Sequence, residues 1–276
     1  MKSLWQFNRL VSVLLMGIVT PHCVIADEQP SMADVVPEIR PGYLQGYLAQ
    51  SELPDSLALL PPPPAEGSLA YALDLEIART NVALRDSPRW QLATRDADLS
   101  FPAAANTFAC AINAPISESL TPHLYLLLRR MLTDAGLATY SAKNRYQRSR
   151  PFVSNKAPIC TPEELTELSH DGSYPSGHTA IGWAWALVLS EVAPEYSNAV
   201  IKRGLAFGES RNVCNVHWHS DVVQGRVIGA STVARLHANA QFVADVQAAK
   251  AELLALKTKQ YRPAGDCQAE AALLGF

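Results

Sequence analysis

The chain has 276 residues, 48% of them apolar, and a formal net charge of −3. That length admits one or two domains and a sizeable core. The near balance of charge excludes a basic nucleic-acid binder and an acidic tail protein.

The N-terminus reads as an export signal. Lys2 and Arg9 make a positive start, Leu10 to Thr20 is a short apolar run, and Val24-Ile25-Ala26 ends in a small residue ahead of Asp27-Glu28. Roughly 20 apolar residues are needed to span a bilayer, so the run predicts cleavage after Ala26 rather than an anchor. Thr20-Pro21-His22 lacks the small residues that a lipid-modified Cys23 would need. Residues 1–26 are therefore read as a signal peptide and 27–276 as a single domain. Cys110, Cys160, Cys214 and Cys267 remain. An even count in an exported chain points to at least one disulfide, with three pairings open. No cysteine spacing resembles a zinc site.

Residues 27–57 carry scattered Pro and Gly and predict irregular chain. Pro61 to Pro64 predicts a polyproline strap leading into the first helix. Leu69, Leu73, Ile77 and Val82 mark an apolar stripe at roughly helical spacing. Leu120 to Leu137 predicts a helix with Leu124, Leu127, Leu128, Met131 and Leu132 inward. Thr161-Pro162-Glu163-Glu164 is a helix start, with Thr as N-cap, Pro at the first position and Glu three residues after the cap. Thr179 to Val192 is almost wholly apolar yet too short for a bilayer, so it predicts a buried central helix. Residues 195–208, 217–238 and 239–258 continue the helical pattern. No alternating strand, repeat or low-complexity tract stands out. The expected fold is all-α, one compact helical bundle from about Pro61 onwards.

Three segments in the second half carry the chemistry. Lys143 and Arg150 lie seven apart, two helical turns, which predicts one shared face. Pro151 disfavours helix at Arg150 and predicts that this Arg ends a helix. The same stretch holds Arg145 and Arg148, and a solvated basic face is the bland alternative for all four. Gly172-Ser173-Tyr174-Pro175-Ser176-Gly177-His178 predicts a tight turn into the central helix. Helix N-termini offer free N–H groups and partial positive charge, so Ser176 and the Gly177 backbone make an anion cradle, with His178 at its mouth. Ser176 could instead merely cap that helix. His217 and Asp221 are four apart and predict a helical pair in which the carboxylate fixes the imidazole tautomer. Arg211 lies six residues upstream, in a segment expected to bend at Asn212 or Asn215. His219 diverges from His217 on a helix and is read as a bystander. Together these groups can hold a phosphate, attack its phosphorus and protonate a leaving group.

In this order, Lys143-x6-Arg150-Pro151, Pro175-Ser176-Gly177-His178 and Ser210-Arg211-x5-His217-x3-Asp221 resemble the motif of the type-2 phosphatidic acid phosphatase superfamily, which includes the vanadium haloperoxidases. The flanks are similar to bacterial class A non-specific acid phosphatases: Leu57 to Pro64, Ser141-Ala142-Lys143, Gly172 to Gly182, and His217-Trp218-x-Ser220-Asp221-Val222. The likeness runs over roughly Leu57 to Leu256. It implies His217 as nucleophile and Asp221 as its orienting partner. It implies His178 as general acid and then base, with Lys143, Arg150, Ser176, Gly177 and Arg211 holding the phosphoryl oxygens. It also implies no metal or other cofactor, small phosphomonoesters as substrates, a periplasmic location and a homodimer or larger homo-oligomer. The chain departs from that pattern at Asn215-Val216, where Gly-Tyr is common, and at His219, where Gln is common.

A haloperoxidase would share the anion site, but the export signal and class A-like flanks disfavour it. A membrane lipid phosphatase would need several spanning helices. A serine hydrolase on Ser176 lacks the Gly-x-Ser-x-Gly elbow and leaves three cations unexplained. A phosphate-binding protein without turnover is the non-enzymatic alternative.

Overall fold

The computed structural model describes residues 36–257, 259, 261–263 and 265–275; the expected export signal at 1–26 lies outside them. One hairpin precedes the helices, β1 (Glu38–Arg40) with β2 (Tyr43–Leu44). The helices are α1 (Ser56–Leu59), α2 (Leu69–Val82), α3 (Pro88–Ala97), α4 (Pro122–Leu137), α5 (Tyr140–Tyr146), α6 (Pro151–Asn155), α7 (Leu165–His170), α8 (Gly177–Val192), α9 (Ser197–Val213), α10 (His219–Leu236), α11 (Ala240–Lys257) and α12 (Cys267–Leu274). The all-α expectation holds apart from the hairpin, which lies in the stretch expected to be irregular. Gly42, at φ +82°, makes its turn. Helix α4 then pins the following chain: Thr133 Oγ1 donates to the Leu44 carbonyl at 2.6 Å, and the Asp134 carboxylate accepts from the Tyr47 and Leu48 amides.

The apolar helix α8 lies at the centre, packed against α4, α9, α10 and α11. Ala180, Ala184, Trp185, Val188 and Leu189 are fully buried on it. Each large apolar side chain so placed stabilises the fold by ~1.5–3 kcal/mol. Helix α4 buries the five residues expected to face inward. Two glycines let α10 press on the start of α8. A Cβ at Gly225 would stand 2.6 Å from the Ser176 carbonyl, and one at Gly229 2.5 Å from the Ala180 carbonyl. That approach seats the first turn of α10 against the turn that ends at Gly177.

Local detail departs from the sequence pattern at three places. The apolar stripe on α2 is not buried: Leu69 is 91% exposed and Leu73 50%. The face turned inward carries Asp74 and Ala78, because Asp74 hydrogen-bonds at the head of α10 and that polar anchor outweighs the apolar spacing. Thr161 is the N-cap of a 3-10 turn, Pro162–Glu164, that runs straight into α7, but its hydroxyl donates to the Glu164 carboxylate rather than accepting from a helix amide. Lys143 and Arg150 do not share a helix, because the chain turns between them at Gln147. The disulfides are Cys110–Cys267, which ties α12 back to the chain before α4, and Cys160–Cys214, which ties the chain before α7 to the end of α9. No helix among the described residues is long and apolar enough to cross a membrane.

Candidate active site

The turn before α8 is held from behind. The Ser176 amide donates to the Asp221 carbonyl at 3.0 Å, and Ser176 Oγ accepts from the Thr179 amide and hydroxyl. Ser176 is thus the N-cap of α8 and fully buried, so the capping alternative describes its protein contacts. Gly177 is the first residue of α8 and lines a cleft. A Cβ there would meet only Thr139 Oγ1, at 3.6 Å, so packing within the chain does not demand the glycine. What the glycine does is leave the helix N-terminus uncovered towards the cleft.

His217 stands just before α10, and Trp218 is that helix's N-cap. His217 and Asp221 therefore meet across a helix start and not along a helical face. Asp221 Oδ2 accepts from the Trp218 amide at 2.9 Å and lies 3.3 Å from His217 Nδ1. Arg150 Nη1 lies 3.1 Å from His217 Nε2. A guanidinium can only donate, so this contact leaves Nε2 unprotonated and puts the ring proton on Nδ1, facing Asp221. Burial, then Arg150, Lys143 and Arg211, pushes His217 well below the ordinary imidazole value. The ring is a neutral base whose Nε2 lone pair accepts from Arg150.

Arg148, for which a solvated face was the bland alternative, supports this pair. Arg148 Nη1 donates to Asp221 Oδ1 at 2.6 Å and to Ser220 Oγ at 2.7 Å, while its Nη2 donates to Asp74 Oδ2 at 2.7 Å. Ser220 returns two bonds to Asp74. Burial raises the Asp221 carboxyl, and Arg148 with the Trp218 amide pulls it back down. Arg148 also lies over the Trp218 ring, whose Nε1 donates to the Ser149 carbonyl at 2.7 Å.

The three cations come from separate elements. Helix α5 ends at Tyr146, and Gln147 takes the left-handed conformation, so Lys143 and Arg150 are not two turns apart on one face. They meet across the turn instead. Arg150 is the extended N-cap of α6, as its following proline requires. Lys143 Nζ donates to the Gly172 carbonyl at 2.7 Å and to Asp171 Oδ2 at 3.2 Å. Burial lowers it to about 8. Arg150 bonds the carbonyls of Leu168, Asp171 and Val216 and the Asp171 carboxylate. Arg211 comes from the last turn of α9, ahead of the left-handed bend at Asn215. It is fully buried, and none of its three guanidinium nitrogens has a hydrogen-bond partner among the described residues. Burial lowers it to about 10.

His178, on the first turn of α8, places Nε2 2.9 Å from the Ala97 carbonyl. That contact makes Nε2 the donor and leaves Nδ1 to exchange a proton. Burial and Arg211 hold this ring well below its ordinary value too.

Lys143, Arg150, Gly177, His178, Arg211 and His217 line one cleft of about 670 Å³, with Ser176 and Asp221 behind them. A second cleft of about 590 Å³, between the end of α11 and residues 112–115, holds none of them. His219 is not among the lining residues. Among the described residues no three His, Cys, Asp or Glu side chains are grouped to hold a metal ion. Motif spacing alone did not single out Arg148, Asp74 or Asp171. The signal for Asp171 was an acid directly before the glycine of the anion turn.

Residues 122–243, which contain every group of the cleft's chemistry, match the PAP2 superfamily. The chain is 46% identical over 212 residues to the non-specific acid phosphatase of Providencia stuartii, a match covering 76% of this chain and 86% of that protein. It is 41% identical over 211 residues to the non-specific acid phosphatase of Salmonella typhimurium, covering 76% and 84%. It is 40% identical over 209 residues to the acid phosphatase of Zymomonas mobilis subsp. mobilis, covering 76% and 79%. The chain belongs to the PAP2 superfamily, among its bacterial non-specific acid phosphatases.

Proposed function

We propose that the protein hydrolyses phosphomonoesters at acidic pH, without a metal, through a phosphohistidine on His217. The observation that carries this is Arg211, a buried cation with no hydrogen-bond partner among the described residues, opening onto the same cleft as His217. An isolated buried charge is expensive, and a phosphoryl dianion supplies the partner it lacks. Arg211, Lys143, Arg150 and the Gly177 backbone hold the phosphoryl oxygens as charge develops on them. His217 Nε2 attacks phosphorus, the P–O bond to the leaving group breaks, and protonated His178 gives its proton to the departing oxygen. Water then attacks phosphorus while His178 takes a proton from it. The N–P bond breaks and its electrons return to Nε2. An alcohol in place of water gives phosphotransfer.

The depressed values of both imidazoles account for the acidic range. His178 must be charged for the first step and His217 neutral, so activity rises as pH falls towards the value of His178 and is lost once His217 protonates. A broad substrate range is supported by the size of the cleft, about 670 Å³, and by a lining in which Ile39, Tyr43, Leu137 and Tyr140 stand among polar groups. Export to the periplasm with loss of residues 1–26 rests on the signal pattern. Self-association is supported by the exposed leucines of α2. The test is hydrolysis of a chromogenic phosphomonoester by the chain from residue 27 across acidic and neutral pH, with EDTA throughout and orthovanadate in parallel. Vanadate-inhibited, EDTA-resistant turnover is expected. Vanadate binding without turnover would replace the enzyme by a binding protein or a haloperoxidase.

A further inference from the structure

Asp171 has no part in that reaction, yet its carboxylate sits at the centre of the anion site. It follows α7 and precedes Gly172, and one oxygen, Oδ2, bridges two of the three cations. It lies 3.2 Å from Lys143 Nζ and 2.9 Å from Arg150 Nη2. The other contacts of those cations are mostly backbone. Lys143 bonds the Gly172 carbonyl, and the remaining Arg150 nitrogens bond Leu168, Asp171 and Val216 carbonyls and His217 Nε2. The two nitrogens that Asp171 meets, Lys143 Nζ and Arg150 Nη2, are therefore the ones through which these cations could grip a phosphoryl oxygen. A carboxylate oxygen between a lysine and an arginine makes the same charge-assisted contacts that a phosphoryl oxygen would. Asp171 is also free to leave. Its side chain is 34% exposed and lines the cleft, whereas Lys143 and Arg150 are almost wholly buried. Glu164 and Glu167 line the same wall and add no further cation to hold it.

We propose that Asp171 competes with the phosphoryl group for Lys143 and Arg150. In the resting enzyme its carboxylate stands where a phosphoryl oxygen would, and substrate binding turns it out towards solvent. This rests on the phosphate-site assignment above. The competition keeps the two cations paired between turnovers and lowers the affinity for substrate and for released phosphate alike. Arg211, which has no hydrogen-bond partner among the described residues, gives the incoming dianion its first grip.

The test compares wild type with Asp171→Asn, Asp171→Ser and Asp171→Glu, measuring inhibition constants for orthovanadate and inorganic phosphate, KM and kcat at one acidic pH. Asn keeps the shape without the charge, and Ser removes the reach as well. Both should bind vanadate and phosphate on the order of tenfold more tightly, the discounted effect of removing one partly exposed like charge at contact distance. KM should fall in parallel while kcat does not rise, and Asp171→Glu should stay near wild type. Unchanged or weaker anion binding in both neutral variants would overturn the proposal and make Asp171 an orienting group for the two cations. Failure of wild type itself to bind vanadate would sink the phosphate-site assignment instead.

Discussion

Replacing Arg211 by methionine separates what this residue does for a ligand from what it does to the fold. Its guanidinium is buried without a hydrogen-bond partner among the described residues, and its ionisation is held near 10, well below the ordinary guanidinium value. That difference corresponds to ~3 kcal/mol against the charged form in the folded chain. The sign follows from linkage. A basic group whose folded value is lowered is harder to charge in the native state, so it destabilises the fold throughout the range below about 10, where the unfolded chain carries the charge freely. Methionine fills similar space without charge. The variant should be more stable than wild type by up to ~3 kcal/mol, less any packing lost, which is several degrees in Tm for a chain of this size. The same change removes a fork of charge-assisted hydrogen bonds to phosphate, each worth ~1.5–3 kcal/mol. Losing two of them lowers kcat/KM and vanadate affinity by about 100-fold or more. Thermal unfolding with and without orthovanadate reads both effects at once. Wild type should start lower and gain from vanadate, and Arg211→Met should start higher and gain little. A variant less stable than wild type and equally protected by vanadate would refute the assignment.

Lys143, at about 8, should lose its charge as pH rises through that value, so vanadate and phosphate affinity should weaken there. Lys143→Arg keeps the charge and should abolish that limb, measured as inhibition constant against pH. Arg148→Met should lower kcat by about 10- to 100-fold, the usual loss when a supporting partner is removed, with little change in KM. Asp221 would then protonate at higher pH, moving the acidic limb of the profile upward, and Arg148→Lys should rescue poorly because one ammonium cannot fork to Asp74 and Asp221. His178→Ala should slow phosphomonoesters with poor leaving groups far more than activated aryl phosphates. Equal losses would remove His178 from the role of acid.

The residues that gather in the cleft were legible because side-chain type limits what each can do. Permanent cations suit an anion, an imidazole suits attack on phosphorus, and a glycine turn suits close approach at a helix start. Their geometry was less so. Equal spacing along a helix explained neither pair it was applied to. Lys143 and Arg150 converge because the chain turns at Gln147, and His217 reaches Asp221 because α10 begins between them. The central helix α8 was readable from its apolar run, since nothing but a core can accept it. The inward face of α2 was not, because Asp74 and its partners Arg148 and Ser220 are far apart in sequence. No local periodicity records a polar contact closed by the tertiary fold.

The central claim is a covalent bond between phosphorus and His217 Nε2. Rapid quenching of the enzyme with a labelled phosphomonoester, followed by phosphorus NMR of the trapped protein, tests it directly. The account predicts an alkali-stable, acid-labile phosphohistidine carried on Nε2, absent from His217→Ala. A label on another residue or on Nδ1, or turnover by His217→Ala at the wild-type rate, would contradict it.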